Sequence, residues 1–114
     1  YYCTQLSDIE GISFMPLAQD RSPNYWLSVM VVDKKTGIFV EDLRLALEKE
    51  NIEARNIWKP MHLQPVFSQC NIIGGHISEQ LFETGLCLPS GAAMQQQDQD
   101  RVIKIIKKAF NKAC

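Results

Sequence analysis

No apolar run in this chain approaches the roughly 20 residues that a bilayer-spanning helix requires, and no signal-peptide pattern opens it. No membrane is therefore expected as a partner, and a cytoplasmic setting is the expectation. Charge of one sign is scarce too: 12 Lys and Arg stand against 13 Asp and Glu, a net charge of −1. Nucleic acid thus has no electrostatic reason to bind. The four cysteines, Cys3, Cys70, Cys87 and Cys114, are widely spaced with no C-x-x-C pair. A disulfide framework belongs to short secreted domains, and nothing else here looks secreted, while the spacing fits no familiar zinc motif. A metal site from Cys70, Cys87, His62 and His76 would match no known ligand pattern, so no metal is expected, and the thiols read as reduced and mostly buried. There are no repeats. Gly74-Gly75 lacks the G-x-x-x-x-G-K-S/T context of a phosphate loop and reads as a turn before a helix. An initiator methionine is also missing, and Tyr1-Tyr2-Cys3 reads like the middle of something, a fragment.

What is present describes an ordinary globular domain. With 114 residues, 46% hydrophobic and 22% charged, the chain can bury one modest core. Residues 1–7 read as the last turns of a helix. Residues 12–15 alternate enough for a short strand, stopped by Pro16, and 19–23 form a polar loop. Residues 25–32 are rich in aromatic and β-branched side chains and predict the firmest strand. Its unbroken apolar tail, Val29-Met30-Val31-Val32, argues for a central position covered on both faces for part of its length. Asp33 to Gly37 turns the chain. A helix follows over 40–50, with Val40, Leu43, Ala46 and Leu47 in one apolar stripe and Glu41, Arg44, Glu48 and Lys49 outward. Its acidic first turn suits the helix dipole, but Phe39 stands where a capping Ser or Thr is expected. Asn51 is the left-handed residue that ends it, and residues 52–57 make a short strand.

After an irregular stretch over 68–75, Ser78 can cap a helix that reaches Thr84, with Gly85 ending it in the left-handed conformation. Leu86-Cys87-Leu88 is a brief buried strand, and Gln95-Gln96-Gln97 is read as loop. The last helix, over 98–112, buries Val102, Ile105, Ile106, Ala109 and Phe110, with Ala113 extending the stripe. Acidic residues open it and Lys107, Lys108 and Lys112 close it, a solvated face oriented as the dipole prefers. The order is roughly (α)ββαβ–loop–αβα. It implies an α/β domain of the α+β type: a small open, mainly antiparallel sheet covered by helices largely on one face.

The least generic stretch lies between these elements, at residues 54–67. Arg55, Trp58, Lys59, His62 and Gln64 stand close together, punctuated by Pro60 and Pro65. Proline fixes its own φ and biases the preceding residue, here Lys59 and Gln64, toward extended backbone. A stiff, non-helical loop is predicted that holds polar groups in set directions, where binding residues tend to sit. The alternative is a connector whose Trp58 and Phe67 cap the core.

Arg55, the Trp58-Lys59-Pro60-Met61-His62 run and Gln64-Pro65-Val66-Phe67 resemble the C-terminal part of the DegT/DnrJ/StrS family. Asn24-Tyr25-Trp26-Leu27-Ser28, Leu81-Phe82-Glu83, Gly85-Leu86-Cys87-Leu88-Pro89-Ser90-Gly91 and Asp98-Gln99-Asp100-Arg101-Val102-Ile103 extend the likeness across the chain. These are pyridoxal-phosphate-dependent aminotransferases of nucleotide-linked keto-sugars. The resemblance implies the small C-terminal domain of a fold-type I aminotransferase, with residues 1–114 a single domain. A missing N-terminal large domain would carry the Schiff-base lysine and the cofactor cradle. It further implies a nucleotide-sugar substrate in the intact enzyme, a homodimer at full length, and a place in cell-surface polysaccharide or amino-sugar biosynthesis. One departure stands out: Asn56 occupies a position where the family commonly has proline.

Transamination needs a lysine that bonds the cofactor and moves protons. Most lysines here fall on turns or polar helix faces, so the chain alone is expected to be inert and to bind no cofactor covalently. What it can supply is one wall of the substrate site. By resemblance His62 would hydrogen-bond a hydroxyl or phosphate, Lys59 and Arg55 would meet a diphosphate, and Trp58 would pack on a ring. Each has a plainer reading: His62 satisfied within its own domain, Trp58 in the core, Lys59 solvated, Arg55 in an internal ion pair. A free-standing small-molecule-binding or protein-interaction module remains the alternative function.

Overall fold

The computed structural model describes the backbone of residues 1–113 and the side chains of residues 1–111, so the Lys112 and Ala113 side chains and Cys114 lie outside the described residues. The elements run α1 (Tyr2–Leu6), β1 (Ile12–Phe14), β2 (Ser28–Val32), α2 (Val40–Glu48), β3 (Arg55–Asn56), α3 (His76–Thr84), β4 (Gly85–Leu88) and α4 (Gln96–Ala113). The strands form one sheet in the order β1-β2-β4-β3, and every pairing is antiparallel. An α/β domain with a small open sheet is thus what the sequence builds, and β2 is interior, as its apolar run implied.

Register explains where the core lies. Met30 faces Phe14 on one side and Leu86 on the other, and Val32 faces Ile12, so these side chains share one face of the sheet. Tyr2 and Leu6 of α1, Val40, Leu43 and Leu47 of α2, and Val102, Ile103, Ile106 and Phe110 of α4 close over that face in a single cluster. The α2 stripe is as periodicity predicts, although Ala46 is only half-buried. In α4 the buried set gains Ile103, while Ile105 and Ala109 sit at its margin. Phe39 precedes α2 without a capping side chain, and Asn51 takes a left-handed φ of 57°.

Several boundaries differ from expectation. The second strand begins at Ser28, not at residue 25, because Tyr25 takes φ 52° and the Asn24 side chain accepts from the Trp26 amide at 3.2 Å. A left-handed residue cannot continue a ladder. The strand expected over 52–57 shrinks to Arg55–Asn56. The 54–67 stretch is not free of helix: Met61–Leu63 and Pro65–Phe67 are single 3₁₀ turns. Proline's fixed φ suits the first turn of a helix as well as extended chain, and Gln64 between the turns is extended. Helix α3 starts at His76, with Gly75 before it at φ 120°, and Ser78 bonds back to the Gly75 carbonyl from inside the first turn. The glutamines at 96 and 97 are helical, with the Asp98 carboxylate accepting from the Gln95 amide at 3.0 Å. Cys3 and Cys70 are exposed thiols, leaving Cys87 as the buried one among the described residues.

The largest correction is Gly85. It is not a left-handed helix end but the extended first residue of β4, φ −103°. Any Cβ there would lie 2.0 Å from Ile57 Cδ1 and 2.7 Å from the Leu81 carbonyl oxygen. Glycine is required by space, because Ile57 lies against the backbone where α3 becomes β4.

Tyr2 ties the first helix to the far end of β4. Its ring is buried and its hydroxyl donates to the Pro89 carbonyl at 2.9 Å. Burial, with the Asp98 carboxylate adding to it, pushes its phenol up to about 12 from an ordinary value near 10. Unfolded chain therefore ionises first, and folded chain must hold its proton against the rising pH. Stability should fall by on the order of 2 kcal/mol between about pH 10 and 12 through this group. Alkaline denaturation curves of Tyr2→Phe should lose that part of the slope. Equal slopes in the two proteins would contradict it.

Candidate functional site

The candidate residues separate into two groups. Arg55 and Trp58 line a cleft of 710 Å³ that opens where β3 leaves β4, between residues 51–56 and 88–91, with the start of α4 at its end. Neither Lys59 nor His62 reaches it.

The cleft is built by local constraints. β3 pairs Arg55 with Cys87 and Asn56 with Leu86 and then ends, so Trp58 emerges beyond the sheet. Trp58 meets Trp26, with ring centroids 5.9 Å apart and planes tilted by 41°. Trp26 is itself held by the turn at Tyr25 and by its carbonyl, which accepts from the Ser90 hydroxyl at 3.2 Å. Both indoles are exposed, 69% for Trp26 and 64% for Trp58, so Trp58 is not a core residue. Arg55 bonds Glu53 at 2.6 Å and both side chains stay in solvent, an ion pair that water largely screens. Arg101, across the cleft, donates to the Glu50 carbonyl at 3.2 Å. Burial pushes the Cys87 thiol up, so it forms a neutral floor and not a nucleophile. Two exposed indoles suit a flat ligand, and the guanidinium groups of Arg55 and Arg101 share the lining with the Glu53 and Asp98 carboxylates.

His62 belongs to a different arrangement. The Met61–Leu63 turn carries it toward α3, where its Nε2 lies 2.7 Å from Glu79 Oε1. Its side chain is 16% exposed and that of Glu79 36%. Gly75 lies against the ring: a Cβ there would sit 3.2 Å from Cε1 and 3.4 Å from Nε2. Lys59 is exposed, and its carbonyl accepts from the Gln64 side chain at 3.3 Å. Sequence reasoning missed Trp26, Arg101 and Glu79 as members of these sites. Trp26 stood inside a segment read as strand, and Glu79 sits 17 residues from His62 with no local pattern joining them.

The described lysines do not fit pyridoxal phosphate. Lys34, Lys35, Lys49, Lys59, Lys104, Lys107 and Lys108 are all exposed, and none lines the cleft. Lys34 is further committed to an ion pair with Glu83. A Schiff-base lysine is commonly held in a desolvated pocket, and these positions are open to solvent. No cofactor-dependent step is therefore assigned to this chain.

Against known proteins, residues 1–107 match the family model of the DegT/DnrJ/EryC1/StrS aminotransferases. A curated relative is EpsN of Bacillus subtilis (strain 168), assigned by name as a pyridoxal phosphate-dependent aminotransferase. It is 37% identical over 114 residues, covering 96% of this chain and 29% of the relative. Among solved structures, the aminotransferase TlmJ from Streptoalloteichus hindustanus superposes with a TM-score of 0.83 at 20% identity, over 97% of this chain and 29% of that one. DesI, solved in the presence of its TDP-sugar product, gives 0.80 at 22% identity, over 96% and 28%. Those two likenesses establish the fold alone. The chain thus spans less than a third of the length of the relatives it matches.

The exposed lysines generate a direct test. Incubation with pyridoxal phosphate followed by borohydride reduction should leave scattered, low-level adducts over the surface lysines when mapped by mass spectrometry. One stoichiometric adduct, at Lys59 for example, would show a self-sufficient cofactor site.

Proposed function

The chain belongs to the DegT/DnrJ/EryC1/StrS aminotransferase family, and from that premise we propose that it is the C-terminal small domain of a pyridoxal-phosphate-dependent aminotransferase acting on a nucleotide-linked keto-sugar. In this reading residues 1–114 are one domain, and a large domain supplies the lysine and the cofactor cradle. The observation that carries the reading is a complete fold match over 97% of this chain that accounts for only 29% of the matched structure, in a chain whose described lysines all face solvent.

The role of this domain is recognition. Substrate contacts come from two places, Arg55 and Trp58 at the cleft and Lys59 and His62 on the loop beyond it: imidazole for a polar group of the sugar nucleotide, cations for its diphosphate, indole for a ring. A nucleotide sugar is supported by the TDP-sugar of DesI, and cell-surface polysaccharide or amino-sugar biosynthesis is the matching pathway class. The intact enzyme works as a homodimer in the cytoplasm. No helix among the described residues is long and apolar enough to cross a membrane.

Surface apolarity agrees with a missing neighbour. Ile73 is 100% exposed, Val66 77% and Ile77 75%, and α3 buries none of its side chains fully. The radius of gyration, 15.3 Å, exceeds the roughly 13 Å of a compact domain this long. Surface of this kind is normally covered. The isolated chain should therefore self-associate with rising concentration in sedimentation velocity, and an ideal monomer at every accessible concentration would refute this.

The functional test uses the full-length enzyme. His62→Ala should reduce kcat/KM for the sugar nucleotide by roughly ten- to a hundredfold, the loss of a hydrogen bond to substrate. The half-reaction with the amino donor should change far less. The covered ring also packs on Gly75 and bonds Glu79, so a lower thermal midpoint should accompany the loss. Equal reduction of both half-reactions would sink the assignment of His62 to the substrate.

A further inference from the structure

The His62 ring is held in one orientation with one nitrogen committed. An ionised carboxylate can only accept, so the 2.7 Å contact to Glu79 Oε1 requires the proton on Nε2. Nδ1 makes no hydrogen bond among the described residues, yet no enclosed side-chain nitrogen or oxygen in that set lacks a partner. Nδ1 is therefore the nitrogen open to the outside, on a ring otherwise 84% covered (16% exposed). Gly75, at φ 120°, leaves no side chain between its backbone and the ring edge at Cε1 and Nε2. The joint before α3 thus brings Glu79 to the ring.

We propose that Glu79 is the positioning residue for His62, fixing the Nε2–H tautomer so that Nδ1 is presented as an acceptor to a hydroxyl of the sugar nucleotide. The proposal rests on the reading of His62 as a substrate contact and sharpens it. A neutral ring with Nδ1 free takes a hydroxyl, which donates, and refuses phosphate oxygen, which offers no proton. Of the two groups suggested for His62, the hydroxyl is the one that a neutral Nε2–H ring selects. Glu79 acts only through the ring and touches no reacting atom.

Two measurements test it. The 114-residue chain has only two histidines, His62 and His76, so long-range ¹H–¹⁵N correlation spectra of ¹⁵N-histidine-labelled protein resolve each tautomer. His62 should show Nε2–H, Glu79→Ala should release it to a tautomer mixture, and Glu79→Gln, whose amide oxygen still accepts, should retain it. An Nδ1–H tautomer in the unaltered chain overturns the proposal whatever His62 binds. In the full-length enzyme, Glu79→Ala should raise KM for the sugar nucleotide about tenfold, with Glu79→Gln restoring most of it and the donor half-reaction unmoved. If His62→Ala impairs the sugar half-reaction and Glu79→Ala does not, the positioning role fails while the substrate role stands. If both variants leave that half-reaction unchanged, the substrate reading fails and the proposal fails with it.

Discussion

The contact between Ile57 and Gly85 is the constraint on which the distinctive part of this structure depends. Helix α3 becomes strand β4 with no intervening loop, so residue 85 must be extended and pressed against the helix's last turn. Ile57 then fills the space a side chain would take. Overpacking by even a methyl group costs on the order of 1–3 kcal/mol where neighbours cannot yield, and the Leu81 carbonyl is backbone. Because Ile57 immediately precedes Trp58, this one contact sets where the aromatic and the two 3₁₀ turns begin. Farther along, the turn bearing His62 comes back alongside α3, within reach of Glu79.

Much of this was legible in the chain, for physical reasons that can be named. Amphipathic periodicity specified α2 and α4 because Val40, Leu43, Leu47, Val102 and Ile106 can be buried together only in helical register. The run from Val29 to Val32 implied an interior strand, and β2 lies between β1 and β4. The junctions were not legible. Gly85 read as a helix end because glycine signals conformational freedom locally, whereas here it answers a steric demand from Ile57, 28 positions earlier in the sequence. Tyr25 read as strand because aromatic residues favour sheets, but the Asn24 side chain offered its backbone an alternative bond. Proline at 60 and 65 was compatible with both extended chain and helical first turns, and only tertiary packing chooses between them.

The candidate site shows the same division. Its residue types were visible as a cluster of Arg, Trp, Lys and His in ten positions, but their grouping was not. Arg55 and Trp58 go to the cleft with Trp26, and His62 goes to Glu79. The plainer reading of Arg55 as an ion-pair partner fits its bond to Glu53, while that of Trp58 as core does not fit a 64% exposed indole. A solvent-exposed pair such as Arg55–Glu53 is a weak commitment. Arg55 could exchange Glu53 for an anionic ligand at small cost, which Arg44, bridged to both Glu41 and Glu48, would do less readily.

Two halves of the molecule therefore carry different burdens. The face under α1, α2 and α4 carries the buried apolar cluster, and no enclosed side-chain nitrogen or oxygen among the described residues lacks a partner. The opposite side keeps half-buried Val29 and Val31, an α3 without a fully buried side chain, and exposed apolar residues between Met61 and Ile73 in the segment before it. Marginal net stability makes such surface expensive to retain unless something covers it. Within that otherwise loose side, His62 is the exception, packed on Gly75 and bonded to Glu79. Rigid placement of one polar side chain in a region left open to another body is what a recognition surface needs, because a ring ordered before binding does not spend binding energy on its own immobilisation. The core supplies the stability, and the His62–Glu79 pair carries that order out to this open face.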